Sequence, residues 1–479
     1  MRRGLLVVAS AFALALAAAG PAQAFTAHDT AIRMDDGVDI AATLFRPDGA
    51  PPPTGWPAVM LLHGLGESRT AMNGVGITLN DIAAKYLAPA GYVVLTFDIR
   101  AHGASGGLFT LDGPREVQDT RALFDWLTAQ PGVDAKRVGA FGYSLGGGLL
   151  WRAAVEGVPF AVIEAAITWT DLYRALIPQN LPRSGVVAGF LNSLRPERIA
   201  PDLLALSTDL LTGTKLDVIK PILASRSTRG SLGRIRAPTL LLQGRRDFAF
   251  DLAQAIDAYR ELRTPKYIYF ADFGHVPSSL PPAEVPHAMM LGRRWFDRFL
   301  QGVPNGVDKR RVELAPDPWT GKTATYRSLP AVKTLSFAAG RSSTIGPTAK
   351  VVGLLARTQT RLETFGAPVV RVPVILRGGW ERVVAVLSAR TPGGKELLVS
   401  EGGVPTRGLS GRRRLSIRLS SQATLIPRRS SLTLTLAASS QAQNPNNLFY
   451  LDLPMPASAR ITIGRATVAL PVLRKPVSR

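Results

Sequence analysis

The fold of this chain is decided by the stretch Ala140-Phe141-Gly142-Tyr143-Ser144-Leu145-Gly146-Gly147-Gly148. A run typical of a β-strand precedes it at 137–141, and a run typical of a helix begins at Leu149. In a G-x-S-x-G turn the serine occupies a strained corner between strand and helix, and the flanking glycines let neighbouring backbone approach closely. The stretch therefore predicts a nucleophile elbow with Ser144 as the candidate nucleophile.

Two backbone N–H groups are candidates for stabilising an oxyanion beside Ser144. The N–H of Leu145 lies at the start of the helix, where the positive end of the helix dipole also points. The second candidate is the N–H of Leu65, because His63-Gly64-Leu65-Gly66 directly follows the first buried strand. In this arrangement His63 braces the loop and does not transfer protons.

Apolar runs and helical patterns alternate on both sides of the elbow. Continuous apolar runs are typical of strands covered on both faces of a parallel sheet, and their alternation with helices indicates right-handed crossovers. The sequence thus predicts an α/β fold with a doubly wound sheet, preceded by a hairpin at 31–46. The predicted strands are 58–62, 92–97, 137–141, 160–167, 239–244 and 267–270, and the predicted helices are 79–87, 117–127, 251–263 and 287–301.

Two regions depart from this alternation. Residues 169–236 are helix-like, interrupted by prolines and too long for a simple connection, which predicts a helical cap inserted over the site. After about residue 305, short β-rich runs separated by Gly, Pro and Ser predict an all-β sandwich. Because 479 residues exceed what one core usually holds, we expect a catalytic domain at 25–305 and a sandwich domain at 306–479.

Charge is distributed unevenly between these regions. The chain carries a formal charge of +22, and residues 310–479 contain 26 of its 57 Lys and Arg but only 7 of its 35 Asp and Glu. Such asymmetry predicts a surface attracted to polyanions, which for an exported protein means anionic envelope polymer or lipid, and no nucleic acid is expected. The alternative is a basic surface that is merely solvated.

The N-terminal residues have the features of a secretory signal peptide. Arg2 and Arg3 precede an apolar run that ends at Gly20-Pro21, and Ala22-Gln23-Ala24 is typical of a cleavage site. A membrane anchor is the alternative, but the run is shorter than the roughly 20 residues that a spanning helix needs. We therefore expect residues 1–24 to be removed from a secreted protein. The absence of cysteine excludes disulfides and thiolate chemistry.

A serine nucleophile needs a histidine base, which in turn needs a carboxylate to orient it. In hydrolases built on this elbow the chain order is serine, acid, histidine. His275 follows the last buried strand, whereas His287 opens a helix and is expected at the surface. Asp247 follows the penultimate strand, whereas Asp251 is better explained as a helix cap. The predicted triad is Ser144, Asp247 and His275.

Several longer motifs resemble a known family. The runs 98–107, 116–119 and 138–144 are similar to those of α/β-hydrolases grouped with Xaa-Pro dipeptidyl-peptidases and cocaine-esterase-like (CocE/NonD) acyl esterases. The runs 366–370 and 425–432 resemble landmarks of that family's C-terminal jelly roll. The resemblance implies an α/β-hydrolase sheet with an inserted cap and a jelly-roll-like sandwich. It also implies esterase or dipeptidyl-peptidase activity.

The chain departs from this family beside the nucleophile. Many members have a tyrosine directly after the serine and another in the oxyanion hole, where this chain has Leu145 and the backbone of Leu65. Prolyl specificity therefore does not follow from the resemblance. An aminopeptidase also needs a carboxylate for the substrate ammonium. The candidate pocket residues are Tyr143, Glu164, Trp169 and Asp171, of which the two carboxylates could equally be structural.

Together these features predict a serine hydrolase that cleaves acyl esters, amides or short peptides through an acyl-enzyme. No metal or organic cofactor is expected, because the predicted triad accounts for the chemistry. A dipeptidyl-peptidase and a transacylase are alternatives within this class. An envelope-binding protein with a vestigial hydrolase site is the alternative outside it.

Overall fold

The computed structural model describes residues 24–72, 77–278, 281–309 and 311–477, so the predicted signal peptide lies, except for Ala24, outside the described residues. Ten strands form one sheet in the order β1-β2-β4-β3-β5-β6-β7-β8-β9-β10. The strands are β1 (Phe25–Arg33), β2 (Asp39–Pro47), β3 (Trp56–Leu62), β4 (Val93–Phe97), β5 (Val133–Tyr143), β6 (Val162–Ala166), β7 (Thr239–Gly244), β8 (Lys266–Ala271), β9 (Val312–Leu314) and β10 (Ala324–Tyr326).

The middle of this sheet is parallel and buried on both faces. Neighbouring strands from β4 through β9 pair in parallel, while β1 and β2 form an antiparallel hairpin at one edge. Every residue of β3, β4, β6 and β7 is buried, which explains their continuous apolar sequence. Because parallel strands end at the same edge, the loops after β3, β5, β7 and β8 meet there.

Helices cover both faces of the sheet and form the inserted cap. The α-helices are α1 (Leu79–Ile82), α2 (Pro114–Thr128), α3 (Leu145–Val155), α4 (Leu172–Leu176), α5 (Ser184–Leu191), α6 (Pro201–Leu204), α7 (Ser207–Thr212), α8 (Leu216–Ser225), α9 (Leu252–Glu261) and α10 (Val285–Leu300). A π-helical turn, Ala83–Leu87, continues α1. Helices α4 to α8 lie between β6 and β7, as the cap prediction requires. No helix in the described ranges is long and apolar enough to cross a membrane.

The main sheet extends past the boundary that the sequence predicts after residue 305. Strand β9 pairs in parallel with β8, and β10 adds antiparallel to β9. Val312 and Leu314 are fully buried there. Short strands among turn residues resemble the β-rich region that follows, so sequence alone assigns them to the sandwich. In the structure, β9 pairs with the free edge of β8 and β10 pairs with β9. The main sheet therefore runs to Tyr326 rather than ending at 305.

The remaining residues form antiparallel sheets. One has the order β11-β22-β15-β21-β12 with β18 also paired to β15, a second has the order β13-β20-β16-β17, and β14 pairs with β19. The strands are β11 (Val332–Ala339), β12 (Ser343–Ile345), β13 (Val351–Arg357), β14 (Leu362–Glu363), β15 (Val369–Arg377), β16 (Arg382–Arg390), β17 (Glu396–Pro405), β18 (Gly411–Arg418), β19 (Leu425–Ile426), β20 (Ser431–Ala437), β21 (Arg460–Ile463) and β22 (Ala466–Leu473).

These antiparallel sheets share a core of their own. Val370, Val372, Val374 and Leu376 alternate along β15 into it, with Trp380 nearby. This alternation is typical of a strand with one buried face. The predicted class, an α/β sheet with an inserted helical cap followed by antiparallel β-structure, is confirmed. The jelly-roll topology stays a prediction.

Candidate active site

The elbow lies where β5 ends and α3 begins. Ser144 has φ 51° and ψ −118°, a strained conformation for a residue with a Cβ. A Cβ on Gly142 would lie 2.4 Å from the carbonyl oxygen of Gly146, and one on Gly146 would lie 2.4 Å from that of Leu62. Only glycine fits at both positions. The sequence therefore holds the serine at the sheet edge, in the geometry that the elbow prediction requires.

Ser144, His275 and Asp247 lie in one line of hydrogen bonds. The Oγ of Ser144 is 2.9 Å from Nε2 of His275. The Nδ1 of His275 is 2.8 Å from Oδ2 of Asp247. These residues follow β5, β8 and β7, so the structure brings together at one edge three residues that are up to 131 positions apart in the chain.

Asp247 is fully buried and receives hydrogen bonds at both oxygens. Its Oδ1 accepts from the N–H groups of Ala249 at 3.0 Å and Phe250 at 2.9 Å, and its Oδ2 accepts from the N–H of His275 at 3.2 Å. Burial alone would lower the pKa of His275, but the charge of Asp247 and its hydrogen bond raise that pKa above the ordinary value. The imidazolium form is thus stabilised beside Ser144.

The loop after β3 is clamped against the elbow through His63. The N–H of Gly146 donates to the carbonyl of His63 at 2.9 Å. The N–H of Ile99 donates to Nε2 of His63 at 2.8 Å, so Nδ1 carries the proton and donates to the carbonyl of Gly64 at 2.7 Å. Burial, with His102 nearby, lowers the pKa of His63 to about 3. His63 is therefore neutral and has the bracing position expected from the sequence.

The two predicted oxyanion donors belong to the two segments that meet at the elbow. Leu65 belongs to the loop that His63 holds, and Leu145 is the first residue of α3. Within the described ranges, neither N–H donates to another group of the chain. Both donors are therefore available for a ligand oxygen.

Glu67 is a site residue that the sequence reasoning missed. Its Oε2 accepts hydrogen bonds from the N–H of Gly64, at 3.2 Å, and from the hydroxyl of Tyr143. Its charge also contributes to the raised pKa of His275. Burial and this carboxylate raise the pKa of the Tyr143 hydroxyl, which stays protonated. Glu67 lies in an irregular loop with no periodic pattern, so no local signal marks it.

A cavity of about 790 Å³ opens onto Ser144 and His275. Its walls come from the loop after β3, from α5 of the cap, from α10 and from the segment 446–449 of the C-terminal region. The apolar residues in its lining include Leu65, Met72, Ile77, Ile82, Phe141, Val186, Phe190, Leu242, Phe273, Val276, Met289, Leu448 and Phe449. The sequence did not predict that the C-terminal region contributes to this wall.

Of the four pocket candidates, Tyr143 lines the cavity and the other three do not. Glu164 lies beneath α10, where its oxygens would contact a Cβ at Gly292, and burial raises its pKa to about 8. Trp169 is buried, its ring packs on Phe250, and its indole N–H donates to a cap carbonyl.

Asp171 caps α4, accepting from the N–H of Arg174 at 2.9 Å. Glu164 and Asp171 therefore have structural roles and do not line the pocket. Glu164 belongs to β6, which is buried on both faces, and Asp171 lies where the chain turns into α4. The alternatives to the predicted acid and base lie elsewhere: Asp251 caps α9, and His287 contacts Tyr269 and Trp319. Among the described residues, no group of three or more His, Asp or Glu could hold a metal ion.

The C-terminal region also supports the loop that carries Asp247. The side-chain amide of Gln422 donates to the carbonyl of Asp247 at 2.9 Å. Arg183 of the cap donates to the carbonyl of Phe248 at 2.7 Å and to the hydroxyl of Ser420 at 2.9 Å. The acid loop is thus held from two sides by residues far away in the chain.

Residues 36–277 match the sequence profile of the X-Pro dipeptidyl-peptidase (S15) family. The chain belongs to this family. The matched range contains Ser144, Asp247 and His275. S15 membership supports the prediction of a hydrolase, and it agrees with the family resemblance of the sequence motifs.

Curated relatives of this S15 chain include both peptidases and esterases. A Streptomyces avermitilis protein provisionally named Xaa-Pro dipeptidyl-peptidase is 26% identical over 316 residues, which cover 58% of this chain and 44% of that protein. A cocaine esterase from a Rhodococcus species is 31% identical over 152 residues, which cover 31% of this chain and 25% of the esterase. The chain spans less than half the length of these relatives.

Solved structures share the whole architecture. A CocE/NonD family hydrolase from Staphylococcus aureus has a TM-score of 0.70 at 13% identity, covering 94% of each chain. An α-amino acid ester hydrolase has a TM-score of 0.70 at 14% identity, covering 97% of this chain and all of that one. At these identities the likeness establishes the fold of this S15 chain, including its C-terminal β-region.

Proposed function

We propose that this chain is a serine hydrolase that cleaves acyl esters through a covalent acyl-enzyme. The observation that carries the proposal is the line of hydrogen bonds from Ser144 through His275 to Asp247, set at the mouth of a cavity. A hydroxyl, an imidazole and a buried carboxylate in this order are the parts that acyl transfer requires.

In the first half-reaction, Oγ of Ser144 attacks the carbonyl carbon and Nε2 of His275 takes the hydroxyl proton. Asp247 holds the imidazolium, and the N–H groups of Leu65 and Leu145 stabilise the negative oxygen. His275 then returns the proton to the leaving alcohol. In the second half-reaction His275 takes a proton from water, which attacks the acyl-enzyme, and then returns that proton to Oγ of Ser144 as the acid leaves.

The ester preference rests on the charges inside the cavity. A dipeptidyl-peptidase needs a carboxylate that is free to bind the substrate ammonium. Glu164 and Asp171 lie outside the cavity, and Glu67 already accepts hydrogen bonds from Tyr143 and Gly64. Among the described residues, the one carboxylate in the cavity is thus already used by Tyr143 and Gly64, which disfavours the Xaa-Pro dipeptidyl-peptidase alternative, while an ester needs no such anchor.

A substrate panel tests this preference. The purified chain should hydrolyse p-nitrophenyl butyrate, and Ser144→Ala should lower kcat by at least about 10⁴-fold. An Xaa-Pro p-nitroanilide should be cleaved far more slowly than the ester. Rapid cleavage of the amide with no ester hydrolysis would replace the esterase by the dipeptidyl-peptidase. Transfer of the acyl group to an added sugar in place of water would indicate the transacylase.

We also propose export, with removal of residues 1–24. The positively charged start, the apolar run and the small residues at 22–24 support it. N-terminal sequencing of protein recovered from the culture medium or the envelope should begin at Phe25. Recovery of the chain with its N-terminus intact would contradict the proposal.

A specific surface supports a second role, binding to anionic polymer or lipid of the cell envelope. Alternate residues of a strand share one face, and the register of β15 with β18 and β21 puts six arginines on the outer face of one sheet. They are Arg371, Arg377, Arg412, Arg414, Arg418 and Arg460. Among the described residues, no carboxylate lies within 4.0 Å of their charged nitrogens.

Replacing Arg412 and Arg414 by alanine tests this surface in the full chain. Binding to dextran sulfate or to anionic vesicles should weaken in the variant, and for the wild type it should weaken as salt rises. Replacing Lys85 and Lys136 by alanine is the control, because it removes two positive charges from the catalytic domain. This change should have little effect on binding. Equal losses in the two variants, or salt-insensitive binding, would leave the arginines as solvated surface.

A further inference from the structure

The cavity beside Ser144 offers a substrate mostly apolar contacts. Among the described residues, the titratable side chains in its lining are Glu67, Tyr143 and His275, and all three already have partners within the site. The mouth is apolar as well, since Val276 is 76% exposed and Leu448 is 55% exposed. Both residues belong to the cavity lining, so its apolar surface continues to the exterior, and contiguous apolar surface of this kind marks a binding site.

The outer wall of the cavity is formed jointly by the cap and the C-terminal region. Helix α5 supplies Val186 and Phe190, and the segment 446–449 supplies Leu448 and Phe449. Two hydrogen bonds fix these parts together. The N–H of Gly185 donates to the carbonyl of Phe449 at 3.1 Å, and the N–H of Leu451 donates to the hydroxyl of Ser184 at 2.8 Å.

The cavity behind this joint wall, which we call the slot, is large for a small acyl group. A volume of about 790 Å³ falls within the roughly 300–1,000 Å³ of sites that enclose whole drug-sized ligands. An acetyl group would leave most of the apolar surface in contact with water. A longer alkyl chain would displace that water and gain about fourfold in kcat/KM for each methylene buried.

We propose that the substrates are esters of fatty acids of medium chain length, and that Leu448 is a specificity-determining residue for the acyl chain. This inference rests on the proposed function of the Ser144 site. The chain is assigned to the acyl side because the acyl group stays bound to Ser144 through both half-reactions, whereas the alcohol must leave through the mouth. The cavity walls therefore contact the acyl group for longer than they contact the alcohol.

The test is a series of p-nitrophenyl esters from acetate to octanoate, each kept below its micelle concentration. For the wild type, kcat/KM should rise about fourfold per methylene until the slot is filled. Leu448→Asp should lower the ratio of octanoate to acetate kcat/KM by about tenfold or more, because a carboxylate would then face the alkyl chain. Leu409→Asp, at a residue 41% exposed and outside the cavity, should leave that ratio unchanged.

Other outcomes overturn the inference and separate it from the proposed function. A protein that reacts with a fluorophosphonate and cleaves acetate, but with kcat/KM that is flat or falls with acyl length, is a short-chain esterase. An unchanged octanoate to acetate ratio in Leu448→Asp, or a length dependence found only among acetate esters of longer alcohols, also excludes the proposed acyl slot. A folded protein that neither reacts with fluorophosphonate nor cleaves any ester contradicts the proposed function itself.

Discussion

His275 lies between the hydroxyl of Ser144 and the buried carboxylate of Asp247. Both contacts follow from the positions of these three residues in the chain. Ser144, Asp247 and His275 each come after a buried strand, so the sequence was enough to predict that they meet at one edge of the sheet, and their catalytic roles stay a proposal. Glu67 and Gln422 were not predictable in this way. Their positions depend on the path of an irregular loop and on a segment 175 residues from Asp247. A local pattern carries no information about either.

Replacing Asp247 by asparagine should lower kcat by about 10⁴-fold. The backbone N–H groups of Ala249 and Phe250 would hold the amide oxygen at the Oδ1 position, which leaves the NH₂ group facing Nδ1 of His275. His275 would then carry its proton on Nε2 and could not accept one from Ser144. Asp251→Asn is the matched control, since asparagine also caps α9, and kcat there should fall less than about tenfold.

The pH dependence of activity tests the charge of Glu67. His275 must be neutral to act as a base, so kcat/KM should fall as pH drops through its raised pKa. Glu67→Gln keeps an acceptor for Gly64 and Tyr143 but removes the negative charge, so the acid limb of the profile should move to lower pH. An acid limb at the same pH in both proteins would mean that Glu67 has only a structural role.

Helices and strands with a strong sequence pattern were predicted correctly. Short strands whose position depends on pairing with a neighbouring strand were predicted less well. The alternation of apolar runs and helices was enough to locate the strands β3 to β8 of the main sheet. Strands β9 and β10 have three residues each, and their place is set by hydrogen bonds to β8 and not by periodicity. Strands β11 to β14, β19 and β22 of the C-terminal region were not predicted, because β12, β14 and β19 have at most three residues and Gly353 in β13 and Pro471 in β22 are atypical of strands.

Two glycine substitutions test how tightly the helices pack. A Cβ on Gly148 of α3 would lie 2.2 Å from the ring of Trp169, so Gly148→Ala should lower the free energy of unfolding by about 1–3 kcal/mol. Gly189 of α5 has nothing within 4 Å of its Cβ position. Gly189→Ala should raise the free energy of unfolding by about 0.5–1 kcal/mol, as measured by denaturant titration. Equal effects would contradict the described packing of Trp169.

At the scale of the whole molecule, the C-terminal region contributes to the candidate active site. It supplies Leu448 and Phe449 to the cavity wall and Gln422 to the loop of Asp247. Arg245, two residues before Asp247, pairs with Glu363 of β14, and both side chains are fully buried. The sequence predicted two adjoining domains, but it could not predict this dependence, since contacts between distant segments leave no local trace.

The buried pair of Arg245 and Glu363 links the main sheet to the C-terminal region, so we expect the loss of this pair to lower the stability of the chain. Glu363→Gln removes the charge that faces Arg245 and should lower the free energy of unfolding by about 3–5 kcal/mol. Asp39→Asn breaks the exposed pair with Arg33 and should cost at most about 1 kcal/mol. Denaturant titration measures both. Similar small losses in the two variants would show that Arg245 and Glu363 contribute no more than a surface pair.

The central claim, that Ser144 is the nucleophile of a serine hydrolase, is tested most directly by intact-mass analysis after reaction with a fluorophosphonate. We expect one adduct per chain, located by peptide mapping at Ser144, absent in Ser144→Ala, and formed in step with the loss of ester hydrolysis. A folded wild-type chain that forms no adduct, or that is labelled at another residue while ester hydrolysis is lost, would contradict it.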